Sequence, residues 1–171
     1  MTTYQAPVKD IQFLLSDVLQ YDRYSNLPGF ADTPHEVREA IFSEAAKVAE
    51  EVLHPLNYVG HVEGCVRHDD GRVTTPKGFR DAFRQLGEGG WLGLSAPSEY
   101  GGQDLPDTVS IAVGEMMSSA NMSVKLYGGL TRAAHIRARR RPRRRARHPR
   151  LPAALRCAAA RRGARRRRDE H

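Results

Sequence analysis

Cysteine is nearly absent: the 171 residues hold two, Cys65 and Cys157, far apart and without C-x-x-C spacing. That spacing gives no disulfide framework and no thiolate metal site, so a reducing, cytoplasmic compartment is the expectation. Long apolar runs are missing as well. No window nears the roughly 20 apolar residues of a membrane-spanning helix. The opening MTTYQAPVKDIQFLLSDVL has no basic segment followed by an apolar one, and Asp10 interrupts it early, so no secretory signal is expected. There is one tryptophan, Trp91. The absences sharpen toward the end. Residues 132–171 contain no Lys, Ser, Thr, Gln, Asn, Phe, Tyr or Trp.

The charge that is present divides the chain in two. Residues 1–131 carry 10 Lys and Arg against 18 Asp and Glu, a net of −8. Residues 132–171 carry 17 Arg and two acids, a net of +15. The formal total of +7 describes neither part.

Residues 1–131 read as all-α. In PVKDIQFLLSDVLQ, Ile11, Leu14, Leu15 and Val18 recur with helical period, and Pro7 sits near the first turn, where its missing N–H is harmless. The next helix opens at TPHE, with Thr33 as cap, Pro34 in the first helical position and Glu36 closing a capping box. Its stripe is Val37, Ile41, Ala45, Val48 and Val52, and Pro55 is expected to stop it. A third runs from Thr75-Pro76 with Phe79, Ala82, Phe83 and Leu86 on one face, ended by Gly87, Gly89 and Gly90. A fourth opens at LPDT with Val109, Ala112, Val113 and Met116 on one side. No stretch alternates with period two for long enough to predict a strand.

Between the third and fourth helices lies GGWLGLSAPSEYGGQDLP, residues 89–106, long and glycine-rich for a helix connection. On packing grounds alone, Trp91 and Leu92 plug the core while the glycines turn the chain. GWLGLSAPSEYGG at 90–102 also resembles the GW-x-G-hydrophobic…P-x-x-YGG signature of the N-terminal helical domain of acyl-CoA dehydrogenases. YQAPVKDIQFLL, residues 4–15, resembles the extra N-terminal segment of the long bacterial-type members, which act on fatty acyl-CoA or related thioesters such as methylthiopropanoyl-CoA. The resemblance continues through EMMSSANMS (115–123) and LYGGLT (126–131), where the domain's next helix would begin, and stops at Thr131.

The resemblance implies a large flavoprotein: helical domain, β-barrel, helical bundle, with FAD and the thioester in a cleft between them. A glutamate from the C-terminal part removes the α-proton and the β-hydride passes to the flavin. It also implies an acyl-CoA substrate, an electron-transfer acceptor and a homo-oligomeric assembly. The barrel's Thr-Glu-Pro and Gly-Thr/Ser-Asp run does not occur in this sequence, and neither does the C-terminal base. Glu99 and Glu115 fall inside the resembling region, but no catalytic residue is assigned to either. In the family, the helix after Asn-Met-Ser helps wall the acyl pocket, which makes Leu126, Tyr127 and Leu130 the substrate-lining candidates. The chain alone is therefore expected to be inactive, and FAD is not expected to be bound by it.

The arginine-rich segment has two readings. Arginine arms bind nucleic acid by neutralising phosphates and releasing counterions. Such arms usually mix in lysine, small polar residues and aromatics, whereas here Arg, Ala, Pro and Gly make 31 of 40 residues. Those are the amino acids with codons led by two G/C bases, the signature of a GC-rich gene read out of frame. Ala133-Ala134-His135-Ile136-Arg137 is encoded by GCN GCN CAY ATH CGN, which from its third base permits Gly-Ala-Tyr-Ser, a string like the one the family carries there. The expectation is a shifted reading frame and a disordered tail, Ile136, Leu151 and Leu155 being its only large aliphatics.

Three other signals are set aside. His54, His61 and His68 recur every seven residues, but Pro55 and Gly60 are expected to break any helix aligning them, so no metal site is assigned. GEGGWLG fails as a dinucleotide fingerprint because Leu92 holds the third glycine position. Met116 and Met117 read as helix packing. The expected organisation is an N-terminal extension with one helix (1–33), an incomplete acyl-CoA dehydrogenase N-terminal-like helical domain (34–131) and the tail (132–171).

Overall fold

Residues 3–140 are described here in a computed structural model, with side chains to residue 129, and helix dominates them. Of the segment 132–171 expected to be disordered, residues 132–140 are helical instead, Ala and Arg being strong helix formers, and 141–171 lie outside the described residues. Residues Met1–Ala134 make one unit; a second runs His135–His171, of which residues to 140 are described.

The extension is folded onto the helices that follow it. Helix α1, Val8–Phe13, runs directly into a π turn, Leu14–Val18, in which the Leu19 N–H reaches back five residues to the Leu14 carbonyl. Only half of the expected stripe is buried. Ile11 and Leu15 enter the core, while Leu14 and Val18 are 51% and 57% exposed. The wider turn explains this: it breaks the 3.6-residue phase on which the stripe was read. A short 3-10 helix, Tyr21–Tyr24, then places Tyr21 in the core, stacked on Phe30 at 4.6 Å.

Helix α2, His35–Lys47, is not capped by Thr33. Pro34 precedes it in extended conformation and no side chain closes the turn. The Thr33 hydroxyl shares its proton between the carbonyls of Gly29 and Phe30, at 3.0 and 3.2 Å, and accepts from the Tyr21 phenol at 2.7 Å. The expected capping box with Glu36 is therefore not made, because the threonine is already committed to the preceding loop.

The buried face of α2 is one residue out of phase with the expected stripe. Arg38, Phe42, Ala45 and Ala46 are buried, whereas Val37 is 39% exposed and Ile41 is half-buried. Arg38 sets this phase. Its guanidinium lies 4.1 Å from the Tyr21 ring centroid, donates to the Thr33 carbonyl at 2.7 Å and pairs with Asp22 at 3.0 Å. Aromatic face, carbonyl and carboxylate together offset the cost of burying the charge.

Pro55 does not stop the helix. A π turn, Val48–Leu53, leads straight into α3, His54–Glu63. The His54 N–H donates to the Ala49 carbonyl, five residues back, and the next residue in that pattern is Pro55, which has no N–H to place. The widened turn thus accommodates the ring that would break an ordinary helix. Gly60 also lies inside α3, since a Cβ there would come within 2.5 Å of the Phe79 ring. His54 and His61 consequently share one helix, contrary to expectation.

A two-stranded antiparallel hairpin follows, β1 (Val66–Arg67) against β2 (Val73–Thr74), paired Val66 to Thr74 and Arg67 to Val73. Two-residue strands leave no readable alternation in the sequence. Helix α4, Phe79–Glu88, buries Phe79, Ala82 and Leu86 as its pattern predicts, with Gly78 entering it at φ 82°. Helix α5, Asp107–Arg140, buries Val109, Ala112, Val113, Met116 and Met117, so the fourth stripe and the packing role of both methionines hold. The core joins these faces to Ile11, Leu15, Phe42 and Leu53, so the extension contributes to the same core as the domain it precedes. No helix among the described residues is long and apolar enough to cross a membrane.

Candidate functional site

Helix α5 is not straight. Asn121 has φ −157° and ψ 93°, outside the helical region, and divides the helix in two. The buried amide accounts for the break. Its Oδ1 accepts the Val124 N–H at 3.1 Å, as an N-cap does three residues into a new helix. Its Nδ2 donates to the Leu53 carbonyl at 3.1 Å, at the end of the second π turn. One side chain thus starts the second half of α5 and ties it to the α2–α3 helix. The kink falls five residues before Leu126, where the resemblance placed the beginning of the next helix.

The substrate-lining candidates lie on that second half. Leu126 is 59% exposed and Tyr127 44% exposed. The Leu130 side chain lies outside the described residues. Tyr127 leans edge-on against Phe83 at 6.0 Å and Phe79 at 6.5 Å. Its hydroxyl is 4.0 Å from the Cys65 sulfur, and partial burial, with the thiol second, raises its pKa above the usual tyrosine value. Met122, one turn before Leu126, is exposed as well. Together they leave an apolar surface on the outward side of α5.

The glycine-rich loop supports this helix from below. Trp91 and Leu92 are half-buried against the core, as expected, but the fully buried plug is Leu94. A Cβ at Gly128 would stand 3.0 Å from the Leu92 side chain, so this glycine lets α5 settle on the loop. The loop closes on itself. Gln103 and Leu105 amides donate to the carbonyls of Gly93 and Leu94, at 3.1 and 2.9 Å, and the Asp104 amide donates to Ala96 at 3.0 Å. Ser98 N–H is held by the Asp104 carboxylate at 2.9 Å. Gly102 passes so close to the Ala96 carbonyl that any side chain would overlap it. The signature resembling GW-x-G…YGG therefore encodes a small self-bonded platform under α5.

Many of the amides that a phosphate or isoalloxazine edge would need, those of Gly93, Ala96, Ser98 and residues 100–105 among them, already donate within the loop. Among the described residues, the buried side-chain atoms without a protein partner, Gln12 Nε2, Arg38 Nη2 and Thr108 Oγ1, sit on three separate elements. Glu99 and Glu115 are both exposed. The described residues do not by themselves converge on a flavin. Nor do they gather three or more His, Cys, Asp or Glu around a common point that would hold a metal. His54 Nε2 instead accepts the Tyr4 N–H, and His68 Nε2 meets the Thr74 hydroxyl.

A helical unit whose long helix is kinked onto a glycine-rich loop presents an open apolar surface rather than a closed site among the described residues. Residues 35–138 match the family described as acyl-CoA dehydrogenase, N-terminal domain, and the chain belongs to the acyl-CoA dehydrogenase family through this domain. The match reaches past Thr131, where the sequence resemblance was placed. Among curated relatives, the chain is similar to the 3-methylmercaptopropionyl-CoA dehydrogenase of Ruegeria pomeroyi (strain ATCC 700808 / DSM 15171 / DSS-3), 36% identical over 132 residues. That alignment covers 77% of this chain and 22% of the relative, so the chain spans less than a quarter of the relative's length.

Sequence reasoning missed Asn121, Arg38 and Tyr4. Asn121 carries the one signal that was available: a lone amide in an otherwise apolar and small-residue stretch, MMSSANMSV.

Proposed function

We propose that this chain is the N-terminal part of an FAD-dependent acyl-CoA dehydrogenase, supplying one wall of the thioester site in an intact enzyme that oxidises the α,β-bond of an acyl-CoA. The observation that carries the reading is the coverage: a family domain at 35–138, and 132 residues aligned to 22% of a curated dehydrogenase acting on a thioester. In this reading Leu126, Tyr127 and Leu130 line the acyl side of that wall. FAD, the electron-transfer acceptor and a homo-oligomeric state belong to the intact enzyme, in the cytoplasm, and the chain alone is inactive. The purified chain is expected to be colourless and to leave an electron-accepting dye unreduced with an acyl-CoA. A yellow preparation that reduces the dye overturns the inactivity.

Residues 132–171 are read as the product of a shifted frame, on their composition of 17 Arg and 10 Ala in 40 residues. Resequencing the DNA from the Leu130 codon tests this. A one- or two-base correction that opens a frame encoding Thr-Glu-Pro supports it. A confirmed frame removes it and favours the second reading that the +15 charge allows, nucleic-acid binding, recognised by affinity that falls steeply with salt.

A further inference from the structure

The first residues of the chain are held by polar contacts to groups far away in sequence. The Tyr4 N–H donates to His54 Nε2 at 3.3 Å, and the Ala6 N–H donates to the Glu50 carboxylate at 2.8 Å. The Tyr4 hydroxyl donates to the Met116 carbonyl at 3.0 Å. Tyr4, Ala6 and Val8 are half-buried against the core, so residues 4–8 form a strap across α2–α3 and α5. Two of the three anchors are acceptors on one helix, Glu50 and His54, four residues apart across the second π turn.

We propose that Glu50 and His54 form a proton-operated latch for this N-terminal strap, closed when the imidazole is neutral and released when it is protonated.

The argument is one of donors and acceptors. A backbone N–H cannot donate to a ring nitrogen that already bears a proton. Closure therefore requires Nε2 unprotonated and the neutral tautomer with its proton on Nδ1. Protonation turns Nε2 into a donor facing another donor at 3.3 Å. The same proton weakens the second anchor, because an imidazolium four residues from Glu50 competes with the Ala6 N–H for that carboxylate. The groups facing the latch are the Tyr4 ring on the strap, 5.9 Å from the His54 ring, Glu50 on the helix and Glu115 of α5, whose charge acts on Tyr4. Both carboxylates favour the imidazolium and neither replaces the acceptor that Tyr4 loses. The sign follows. The closed state binds fewer protons, so closure strengthens as pH rises and weakens as pH falls. The Tyr4–Met116 bond holds no titrating acceptor and remains as the pivot.

Amide hydrogen exchange of the full chain, followed in the peptide carrying Tyr4 and Ala6 and corrected for the intrinsic pH dependence, tests the proposal. Protection should fall as pH is lowered, by at most about tenfold per pH unit, the limit for one linked proton. His54→Gln keeps a side-chain acceptor that does not titrate and should abolish this loss. Equal loss in both proteins, or no loss in the wild type, overturns the latch. A measurement on the wild type alone covers the case in which the variant does not fold. Imidazole nitrogen resonances at pH 8 should report the Nδ1–H tautomer for His54, and the Nε2–H tautomer overturns the latch.

Discussion

Replacing Asn121 with alanine removes both bonds at the α5 kink, and the structure gives the size of the effect. The Val124 N–H, fully buried, loses its acceptor, and the Leu53 carbonyl loses the donor it receives from outside its own helix. A buried N–H left unsatisfied costs about 1–3 kcal/mol, and the lost amide–carbonyl bond about 1 kcal/mol more. The sum, about 2–4 kcal/mol, is a large part of the roughly 5–15 kcal/mol that holds a domain folded. Over the Met1–Ala134 unit, with about 2.1 cal/mol/K of unfolding entropy per residue, it lowers Tm by about 7–14 °C. Asn121→Ser keeps a capping oxygen but cannot reach Leu53, and should lose only about 1 kcal/mol of this. Thermal and urea unfolding followed by circular dichroism reads all three proteins. A change below about 0.5 kcal/mol in Asn121→Ala, or a gain, refutes the reasoning. Alanine would then have healed the helix by letting Val124 bond four residues back, and the kink would owe nothing to the amide.

Other substitutions separate causes that the sequence alone confounds. Gly102→Ala should destabilise by more than about 2 kcal/mol through overlap with the Ala96 carbonyl. Gly101→Ala, at φ 78° but in open space, should cost only the left-handed backbone penalty of about 1–2 kcal/mol; urea midpoints of the two should differ in that order. Thr33→Ala should cost about 1–3 kcal/mol by stranding the Tyr21 hydroxyl, whereas Glu36→Ala should change stability by less than about 0.5 kcal/mol, because no capping box exists. Equal losses in that pair would restore the cap. Burial raises the pKa of both Tyr4 and Tyr127 above the usual value near 10. A raised folded pKa stabilises fully below the unfolded value, so stability should decline as pH rises through 10 toward the folded values. Tyrosinate absorbance should show late-titrating groups that Tyr4→Phe and Tyr127→Phe each remove.

Periodicity made α4 and the first half of α5 legible, because Phe79, Ala82, Leu86 and Val109, Ala112, Val113, Met116 pack in ordinary α-helical phase. It failed where that phase fails. The stripe of Ile11, Leu14, Leu15 and Val18 was read through a π turn, and so half of it faces outward. The α2 stripe fell one residue off because Arg38, polar by type, is the residue drawn inward by Tyr21 and Asp22. Thr33 was read as a cap from its position before Pro34, and only the fold reveals a phenol closer at hand. The loop at 89–106 announced itself by its glycines, yet what it does depends on which carbonyl each glycine approaches. Leu126 and Tyr127 came from family resemblance, and the helix that bears them turns on an asparagine whose partner is 68 residues away.

The π turn at Val48–Leu53 has a bearing on how this region tolerates change in length. A π turn amounts to one surplus residue absorbed without breaking the helix. Winding these same residues as a regular helix would turn one end against the other by about 100°. Glu50 and His54 toward the strap, or Gly60 toward Phe79, would then point the wrong way. Deleting one residue from the turn removes the surplus and leaves the two ends in phase, so a single deletion here should be tolerated better than a single insertion. The surplus residue lets a single helix serve two partners that no unbroken α-helix of this sequence would face at once.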